Sequence, residues 1–340
     1  MLGHIMLLCV PLGLAWAQAQ APAAGSSQAD IRVSVNEVIV PVTVTDDKGR
    51  FVTNLEKKDF EILDEGKRQN ITFFSREAKQ PVVIGFLLDL SNTSRLHWKT
   101  YQEASKELIW ALLPGEKKYA GYLIGYHQEA ELMVNTTIDS DKLTDRISKL
   151  KPSGGSSLYD AIYMSCTKRS LVQGEPIEPR RVLVIIGDGN DNASKKAIDE
   201  VLELAQRNQV TIFGISTVAF GFTSEGEKNL TRLAEETGGK VYYPLQGLYK
   251  DISGYLSTPS DEGNYAIKVG TGGYAAEIAK GIFNSVASVT GEITTQYILR
   301  YLPDTTDAAR VFRRIEVKVP SLDNTGIQIR ARKGYFPAAP

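Results

Sequence analysis

Oxygen-bearing side chains recur at three places in the middle of this chain. An Asp-x-Ser-x-Thr segment places a carboxylate and two hydroxyls at alternate positions, Asp89, Ser91 and Thr93. A Gly-Gly-Ser segment ends at Ser156, and an Asp-Gly-x-Asp-Asn segment begins at Asp188. Hard divalent cations prefer oxygen ligands, and Mg²⁺ takes six of them in an octahedron that usually keeps some water. The five side chains therefore predict a Mg²⁺ site, with direct or water-bridged contacts and one coordination position left for another group.

The elements around these segments alternate between apolar runs and amphipathic stretches. Residues 82–88 form a continuous apolar run, which is typical of a strand buried on both faces of a parallel sheet. Further strands are predicted over 119–126, 181–186 and 210–218, and helices over 101–112, 139–150, 157–171, 194–207 and 224–237. This alternation predicts a three-layer, Rossmann-like α/β domain with helices on both faces of a mainly parallel sheet. Ligands bind beyond the carboxyl ends of such strands, where Asp89 and Asp188 stand.

Taken in this order, the three segments resemble the metal-ion-dependent adhesion site of von Willebrand factor type A domains. The separations between the segments also fit that family, and the resemblance extends over about residues 81–256. It implies that Mg²⁺ or Mn²⁺ is bound, and that an Asp or Glu of a partner protein completes the coordination. By this resemblance the metal ligands are Asp89, Ser91, Thr93, Ser156 and Asp188.

The chain departs from the family pattern at three positions. The family usually has Ser where this chain has Thr93, and Thr where it has Ser156. Both changes keep a hydroxyl and should preserve ligation. The family often has Thr where this chain has Gly187, and a glycine there removes a side chain that can support the ligands through hydrogen bonds.

Two other interpretations of these residues were compared with a metal site. Polar residues after strands often cap the next helix, and this applies to Asp89, Ser91, Ser94 and Ser156. The coincidence of three segments favours the metal site over capping. The second interpretation is a Mg²⁺-dependent hydrolase or phosphotransfer enzyme that uses the same carboxylates. These segments contain no spare His or Glu to act as a general base, so we expect a binding module and no enzyme activity.

Composition excludes several other classes of protein. The 340 residues include 39 Lys and Arg against 40 Asp and Glu, and this near-neutral balance argues against a nucleic-acid binder. With 42% hydrophobic and 23% charged residues the chain has globular composition. Its three histidines and two cysteines, Cys9 and Cys166, are too few for a zinc cluster or a disulfide framework.

The N-terminus carries the pattern of an export signal. An apolar run over residues 5–16 is followed by small residues typical of a cleavage site, which predicts a signal peptide over residues 1–19 and a secreted or periplasmic protein. A linker rich in Pro, Ala, Gly and Ser follows over 20–30. No later stretch has the roughly 20 apolar residues that a membrane-spanning helix needs, so we expect no transmembrane segment in the mature chain.

Short strands flank the α/β domain on both sides. Residues 31–80 read as an N-terminal β module, 81–290 as the von Willebrand A-like domain with a Gly-rich insert at 257–273, and 291–340 as C-terminal strands. We expect the flanking strands to pair into one small β-sandwich, because short strands need a partner sheet to bury their apolar faces. As a whole the chain resembles exported von Willebrand A-related proteins of acidobacteria, a resemblance that names no partner.

Overall fold

The computed structural model describes residues 37–76, 81–168, 171, 179–218, 224–244, 272–303, 311–322 and 326–337. All of these residues belong to one compact unit of the chain. The predicted signal peptide and linker lie outside the described residues, as does the Gly-rich insert except for its last two residues.

A six-stranded sheet forms the centre of the α/β domain. Its strands are β5 (Val82–Asp89), β6 (Tyr119–Tyr126), β7 (Ala130–Thr137), β8 (Arg180–Gly187), β9 (Val210–Ser216) and β10 (Val241–Tyr242), in the order β10-β9-β8-β5-β6-β7. All neighbours are parallel except β6 and β7. Every residue of β5 is buried, as expected for a central strand covered on both faces.

Alternate residues of β5 supply two separate hydrophobic cores. The helices that cover the sheet are α1 (Trp98–Leu112), α2 (Ser140–Ile147), α3 (Leu158–Thr167), α4 (Ile198–Arg207), α5 (Glu225–Thr237) and α6 (Gly272–Thr295). Val82, Ile84 and Phe86 face one side with α1 and α2, whereas Val83 and Leu87 face the other with α3 and α4. The predicted fold class, a three-layer α/β domain with a mainly parallel sheet, is therefore confirmed.

Strands from the two ends of the chain form two further antiparallel sheets. These strands are β1 (Val38–Thr45), β2 (Glu61–Asp64), β3 (Lys67–Gln69), β4 (Ile71–Ser75), β11 (Tyr297–Tyr301), β12 (Arg313–Lys318), β13 (Gln328–Ala331) and β14 (Gly334–Tyr335). One sheet has the order β13-β1-β11-β4 and the other β14-β12-β2-β3. One apolar core with members from both sheets, such as Val42, Leu299 and Ile62, lies between them. Each sheet thus combines strands from before and after the α/β domain.

The structure corrects several details of the sequence interpretation. Strand β7 was not predicted, because as a partly exposed edge strand it has no continuous apolar run. Within the C-terminal stretch, residues 327–336 fit one strand by sequence, but they form two strands, β13 and β14, which belong to different sheets. Gly272 and Gly273, expected to be part of a loop, begin α6. Along α6, Ile282 and Val286 are buried, whereas Phe283 is 41% exposed.

The chain order creates a switch point between β5 and β8. The connection from β5 leads to β6 on one side, and the chain returns to β8 on the other side of β5 before it continues to β9. Loops that leave two such strands diverge and open a crevice at their carboxyl ends. The first and third of the polar segments follow β5 and β8, and therefore border this crevice.

Candidate functional site

Pairing of β5 with β8 brings the first and third segments together. Leu88 pairs with Ile186 in the parallel ladder, so Asp89 and Gly187 come next on neighbouring strands. A Cβ atom built on Gly187 would lie 2.8 Å from the Cβ atom of Asp89. Asp89 and Asp188 consequently lie at the carboxyl ends of neighbouring central strands of the sheet, and the two residues are 2% and 6% exposed.

The first segment makes a tight turn around the Asp89 carboxylate. Its Oδ1 atom accepts a hydrogen bond from the Ser91 amide at 2.8 Å. The hydroxyls of Ser91 and Thr93 lie 2.8 Å apart, with Ser91 buried and Thr93 exposed. Ser91 precedes a 3₁₀ turn over Asn92–His97, but its side chain makes no capping hydrogen bond. The two hydroxyls therefore stand together without serving the helix-capping role.

In the third segment, Asn190 holds both oxygens of Asp188. Its backbone amide donates to Oδ1 and its side-chain amide donates to Oδ2, each at 2.9 Å. Gly189 between them has a φ of +75°, and a Cβ atom there would come within 2.2 Å of the Gly226 carbonyl oxygen. A glycine is required at this point both for the left-handed backbone and for the close approach to α5.

Ser156 joins the second segment to the third. Its hydroxyl donates to the Asn190 carbonyl at 2.7 Å, and its amide donates to Oδ1 of Asn192 at 2.8 Å. The Ser156 carbonyl in turn accepts from the amides of Asn192 and Ala193, each at 2.9 Å. Because the hydroxyl proton is used for Asn190, the oxygen of Ser156 keeps its lone pairs for another partner. Ser156 does not cap α3, whose N-cap is Ser157.

The first and second segments are also bonded to each other. The Asn92 amide donates to the Gly154 carbonyl at 3.1 Å, and the Ser153 amide donates to the Leu90 carbonyl at 2.5 Å. All three predicted segments thus meet at one end of the sheet. Of the five predicted ligands, Ser91 and Thr93 are joined directly by the hydrogen bond between their hydroxyls.

Asp191 and Asn192 have roles that sequence reasoning missed, although the Asp-Gly-x-Asp-Asn segment contains both. The Asp191 carboxylate accepts from the Tyr159 amide at 2.8 Å and from the Ser194 hydroxyl at 2.6 Å. Asp191 therefore accepts a hydrogen bond from a backbone amide in the first turn of α3, and Asn192 accepts one from the Ser156 amide. These two residues position the site rather than offer free ligands.

The second oxygen of Asp89, Oδ2, is buried and has no hydrogen-bond partner within the part of the chain that the structure describes. Burial, together with the nearby negative charge of Asp188, raises the pKa of Asp89 to about 6. Neither carboxylate is paired with a described Lys or Arg side chain. An unpaired oxygen beside a second carboxylate is the arrangement that a bound cation would satisfy.

The donor set fits a hard, oxygen-preferring divalent ion rather than a metal held by His or Cys. Within the described ranges no group of three or more His, Cys, Asp or Glu side chains could hold a metal ion. The candidate site instead combines two carboxylates with three hydroxyls, and oxygen donors of this kind suit Mg²⁺ and Mn²⁺.

A comparison with protein families assigns the α/β domain. The family model described as von Willebrand factor type A domain matches residues 84–246. Residues 84–246 are a von Willebrand factor type A domain. The match contains all three segments of the candidate site. Von Willebrand factor type A domains are typically protein-binding or adhesion modules. A search of curated proteins found no match.

Several solved structures are similar to this von Willebrand factor type A domain. An aerotolerance-related membrane protein from Bacteroides fragilis NCTC 9343 is 18% identical with a TM-score of 0.39, and the match covers 51% of this chain and 97% of that chain. BatB from Bacteroides thetaiotaomicron is 17% identical with a TM-score of 0.37, and coverage is 52% and 100%. The vWF domain of the type V pili tip protein Mfa5 from Porphyromonas gingivalis is 11% identical with a TM-score of 0.39, and coverage is 52% and 95%.

None of the helices in the described part of the chain is both long and apolar enough to span a membrane.

Proposed function

We propose that this chain is an exported protein-binding module, with an adhesion or assembly role, that captures an Asp or Glu side chain of a partner protein through Mg²⁺ or Mn²⁺. The residues that would hold the ion are Asp89, Ser91, Thr93, Ser156 and Asp188. A bound divalent ion would supply an open coordination position for a carboxylate from outside the chain.

The unpaired Oδ2 atom of Asp89 is the observation that carries this proposal. The atom is buried at the strand end, next to the loop that begins with Asp188, and no described group donates to it. Buried polar atoms are nearly always hydrogen-bonded, and exceptions point to a missing ion, a missing water or a functional role. A cation at this place would satisfy the oxygen and also offset the repulsion between two buried carboxylates.

The charge of the donor set supports capture of an anion. Asp89 and Asp188 supply the only formal charges, and the remaining donors, Ser91, Thr93 and Ser156, are neutral hydroxyls. A divalent ion held by such a set keeps electrophilic character, the more so where a carboxylate contacts it through water. Because Thr93 is exposed, at least one of the proposed ligands lies at the surface, where a partner's side chain can reach it.

We propose binding rather than catalysis because the third carboxylate of these loops, that of Asp191, already accepts hydrogen bonds within the chain. Asp191 accepts hydrogen bonds from Tyr159 and Ser194, so it is not free to act as a general base. A screen for phosphatase and esterase activity with added Mg²⁺ tests this part of the proposal. Turnover that disappears in Asp89→Ala would contradict it and favour the Mg²⁺-dependent enzyme.

The decisive experiment begins with calorimetric titration of the chain with MnCl₂ and MgCl₂. We expect saturable binding at millimolar metal or below, and loss of binding in Asp188→Ala. Asp145→Ala removes an exposed carboxylate on α2 with the same change in net charge, and should bind like the wild type. Absence of divalent binding in the wild-type chain would refute the proposed function.

Capture of a carboxylate is tested with the metal-loaded chain. Immobilised chain is exposed to exported proteins, and to peptides that differ only by Glu→Gln at one position. We expect retention that requires Mg²⁺ or Mn²⁺, is lost in chelator and in Asp188→Ala, and is lost for the Gln peptide. Retention that is equal in chelator would show that the ion is not part of the binding surface.

Export is tested separately by cell fractionation. The proposed signal peptide over residues 1–19 predicts a mature chain outside the cytoplasm whose N-terminus lies near residue 20. N-terminal sequencing of the exported product would show the cleavage site. An uncleaved chain retained in the cytoplasm would contradict the proposed localisation, and would also separate this chain from the exported acidobacterial group that it resembles.

A further inference from the structure

Tyr126, the last residue of β6, lies directly beside Asp89 in the paired strands. Its side chain is 0% exposed. The hydroxyl is buried, and among the described residues it has no hydrogen-bond partner. Tyrosine is usually placed in a core so that its hydroxyl finds a partner, so an unpaired one next to charged groups calls for an explanation.

Gly187 opens the space that this hydroxyl occupies. A Cβ atom built on Gly187 would lie 2.2 Å from the Tyr126 hydroxyl oxygen, closer than any non-bonded contact allows. The backbone of Gly187 is not in the left-handed region, so its conformation does not demand glycine. The absence of a side chain at 187 is therefore a matter of space, which the Tyr126 hydroxyl fills most closely and the Cβ atom of Asp89, at 2.8 Å, limits further.

Two unpaired buried atoms both lie close to this point. The position of that Cβ atom is 2.2 Å from the Tyr126 hydroxyl oxygen and 3.2 Å from Oδ2 of Asp89. Both oxygens lack a partner among the described residues, one being a donor and the other an acceptor. Burial and the charges of Asp89 and Asp188 hold the pKa of Tyr126 well above its ordinary value, which keeps the hydroxyl a donor.

We propose that Tyr126 is a positioning residue of the metal site, whose hydroxyl donates to the Asp89 carboxylate when a divalent ion is bound. Tyr126 then supplies from a neighbouring strand the hydroxyl that position 187 does not carry. The inference rests on the proposed function, because it assigns Tyr126 a role toward the same ion. A hydrogen-bonded carboxylate is held in one orientation, and such supporting contacts typically change metal affinity by about 10- to 100-fold.

The test moves the hydroxyl from one residue to the other. Tyr126→Phe removes it, Gly187→Ser introduces one at the neighbouring point, and the double variant carries the hydroxyl only at 187. Each chain is titrated with Mn²⁺ by calorimetry and by the electron paramagnetic resonance spectrum of bound Mn²⁺. Thermal unfolding in chelator reports the stability of the metal-free fold and separates packing effects from metal effects.

Tyr122 provides a matched control on the same strand. It is buried and pairs with Gly85, and a Cβ atom on Gly85 would lie 2.5 Å from the Tyr122 hydroxyl. The groups that act on the Tyr122 hydroxyl are Ser165, Cys166 and Arg181, none of them a carboxylate. Tyr122→Phe therefore removes a buried hydroxyl over a glycine without touching the proposed site.

We expect Tyr126→Phe to remain folded in chelator and to bind Mn²⁺ about tenfold more weakly than wild type, with a changed Mn²⁺ spectrum. Tyr122→Phe should bind within about twofold of wild type. Gly187→Ser should unfold at a lower temperature because of the clash. The double variant should recover the affinity to within about threefold, but only part of the unfolding temperature, because a Cβ atom at 187 still lies 2.8 Å from the Cβ atom of Asp89.

Three results would overturn the inference, and one of them belongs to the proposed function. If Tyr126→Phe binds Mn²⁺ as tightly as wild type, or no more weakly than Tyr122→Phe, Tyr126 has no role toward the ion although the metal site stands. If the double variant is as weak as Tyr126→Phe alone, the hydroxyl is not the group that matters. If wild type itself binds no Mn²⁺, the proposed function fails and the inference fails with it.

Discussion

Asn192 holds the backbone amide of Ser156 through its side-chain oxygen at 2.8 Å, across 36 residues of sequence. The same two residues are joined again by a bond from the Asn192 amide to the Ser156 carbonyl at 2.9 Å. Two of the three segments of the candidate site are thus joined by two hydrogen bonds that do not depend on a bound ion. Such supporting contacts reduce the reorganisation that binding requires.

The first prediction concerns the hydrogen bonds between Asn192 and Ser156. Asn192→Ala should lower the free energy of unfolding by about 1–2 kcal/mol, because the Ser156 amide loses its partner. It should also weaken Mn²⁺ binding about tenfold although no proposed ligand is removed. Chemical unfolding and calorimetry measure the two effects. Asn135→Ala is the control, because its side-chain oxygen accepts from the Thr136 amide on exposed β7, away from the site. Equal Mn²⁺ affinity in both variants would contradict the prediction.

The second prediction uses the raised pKa of Asp89, about 6 against an ordinary 3.8. An acid whose pKa is raised by folding holds its proton more tightly in the folded chain, so stability falls as pH rises from about 3.8 to 6. In chelator at pH 7.5, Asp89→Asn should therefore be more stable than wild type by up to about 3 kcal/mol.

The advantage of Asp89→Asn should shrink as pH falls through 6 and vanish near 3.8. Saturating Mn²⁺ should reverse the order at pH 7.5, since only the wild type gains stability from binding the ion. Urea unfolding at pH 5 and 7.5, with chelator or Mn²⁺, measures all four combinations. A wild type that is the more stable chain in chelator at pH 7.5 would show that Asp89 is not destabilised by its surroundings.

The third prediction concerns the exposed hydroxyl of Thr93. Thr93→Val keeps the shape but removes the oxygen, and should weaken Mn²⁺ binding at least about tenfold. Thr93→Ser keeps the oxygen and should stay within about threefold of wild type. Because the residue is exposed, neither change should shift the unfolding temperature in chelator by more than a few degrees. Unchanged affinity in Thr93→Val would remove Thr93 from the ligand set.

The fourth prediction tests how the β-sandwich is joined to the von Willebrand factor type A domain. The buried Arg332 guanidinium donates to the Ile39 carbonyl of β1 at 3.3 Å and to the Gln206 carbonyl of α4 at 3.1 Å. Arg332→Ala should lower the free energy of unfolding by about 2–4 kcal/mol, because one buried and one partly buried carbonyl lose a charged donor.

Its neighbour Lys333 is the matched control. That side chain is 59% exposed and forms a 3.7 Å ion pair with Glu235. Lys333→Ala should change the free energy of unfolding by no more than about 0.5 kcal/mol. If thermal or urea unfolding shows the same loss for both variants, the bridge through Arg332 does not hold the two parts together.

Much of the α/β domain could be predicted from local sequence. The all-apolar run before Asp89 predicts a strand buried on both faces, and β6 was predicted with its observed bounds, Tyr119–Tyr126. The strands and turns that carry the three polar segments follow from the same local patterns. Their order was sufficient to indicate the von Willebrand factor type A domain, and the metal ligands stay a prediction.

Only the tertiary structure decided which residues support the candidate site. Tyr126 and Gly187 stand 61 positions apart, yet the hydroxyl of one occupies the space beside the other. Likewise, apolar and polar residues alternate over 327–332, but the chain passes from one sheet to the other between β13 and β14, and the Arg332 side chain at this point is buried. Backbone conformation follows from neighbouring residues, so sequence periodicity reveals it. Steric exclusion and hydrogen bonding between distant segments depend on which side chains meet, and no local pattern encodes that.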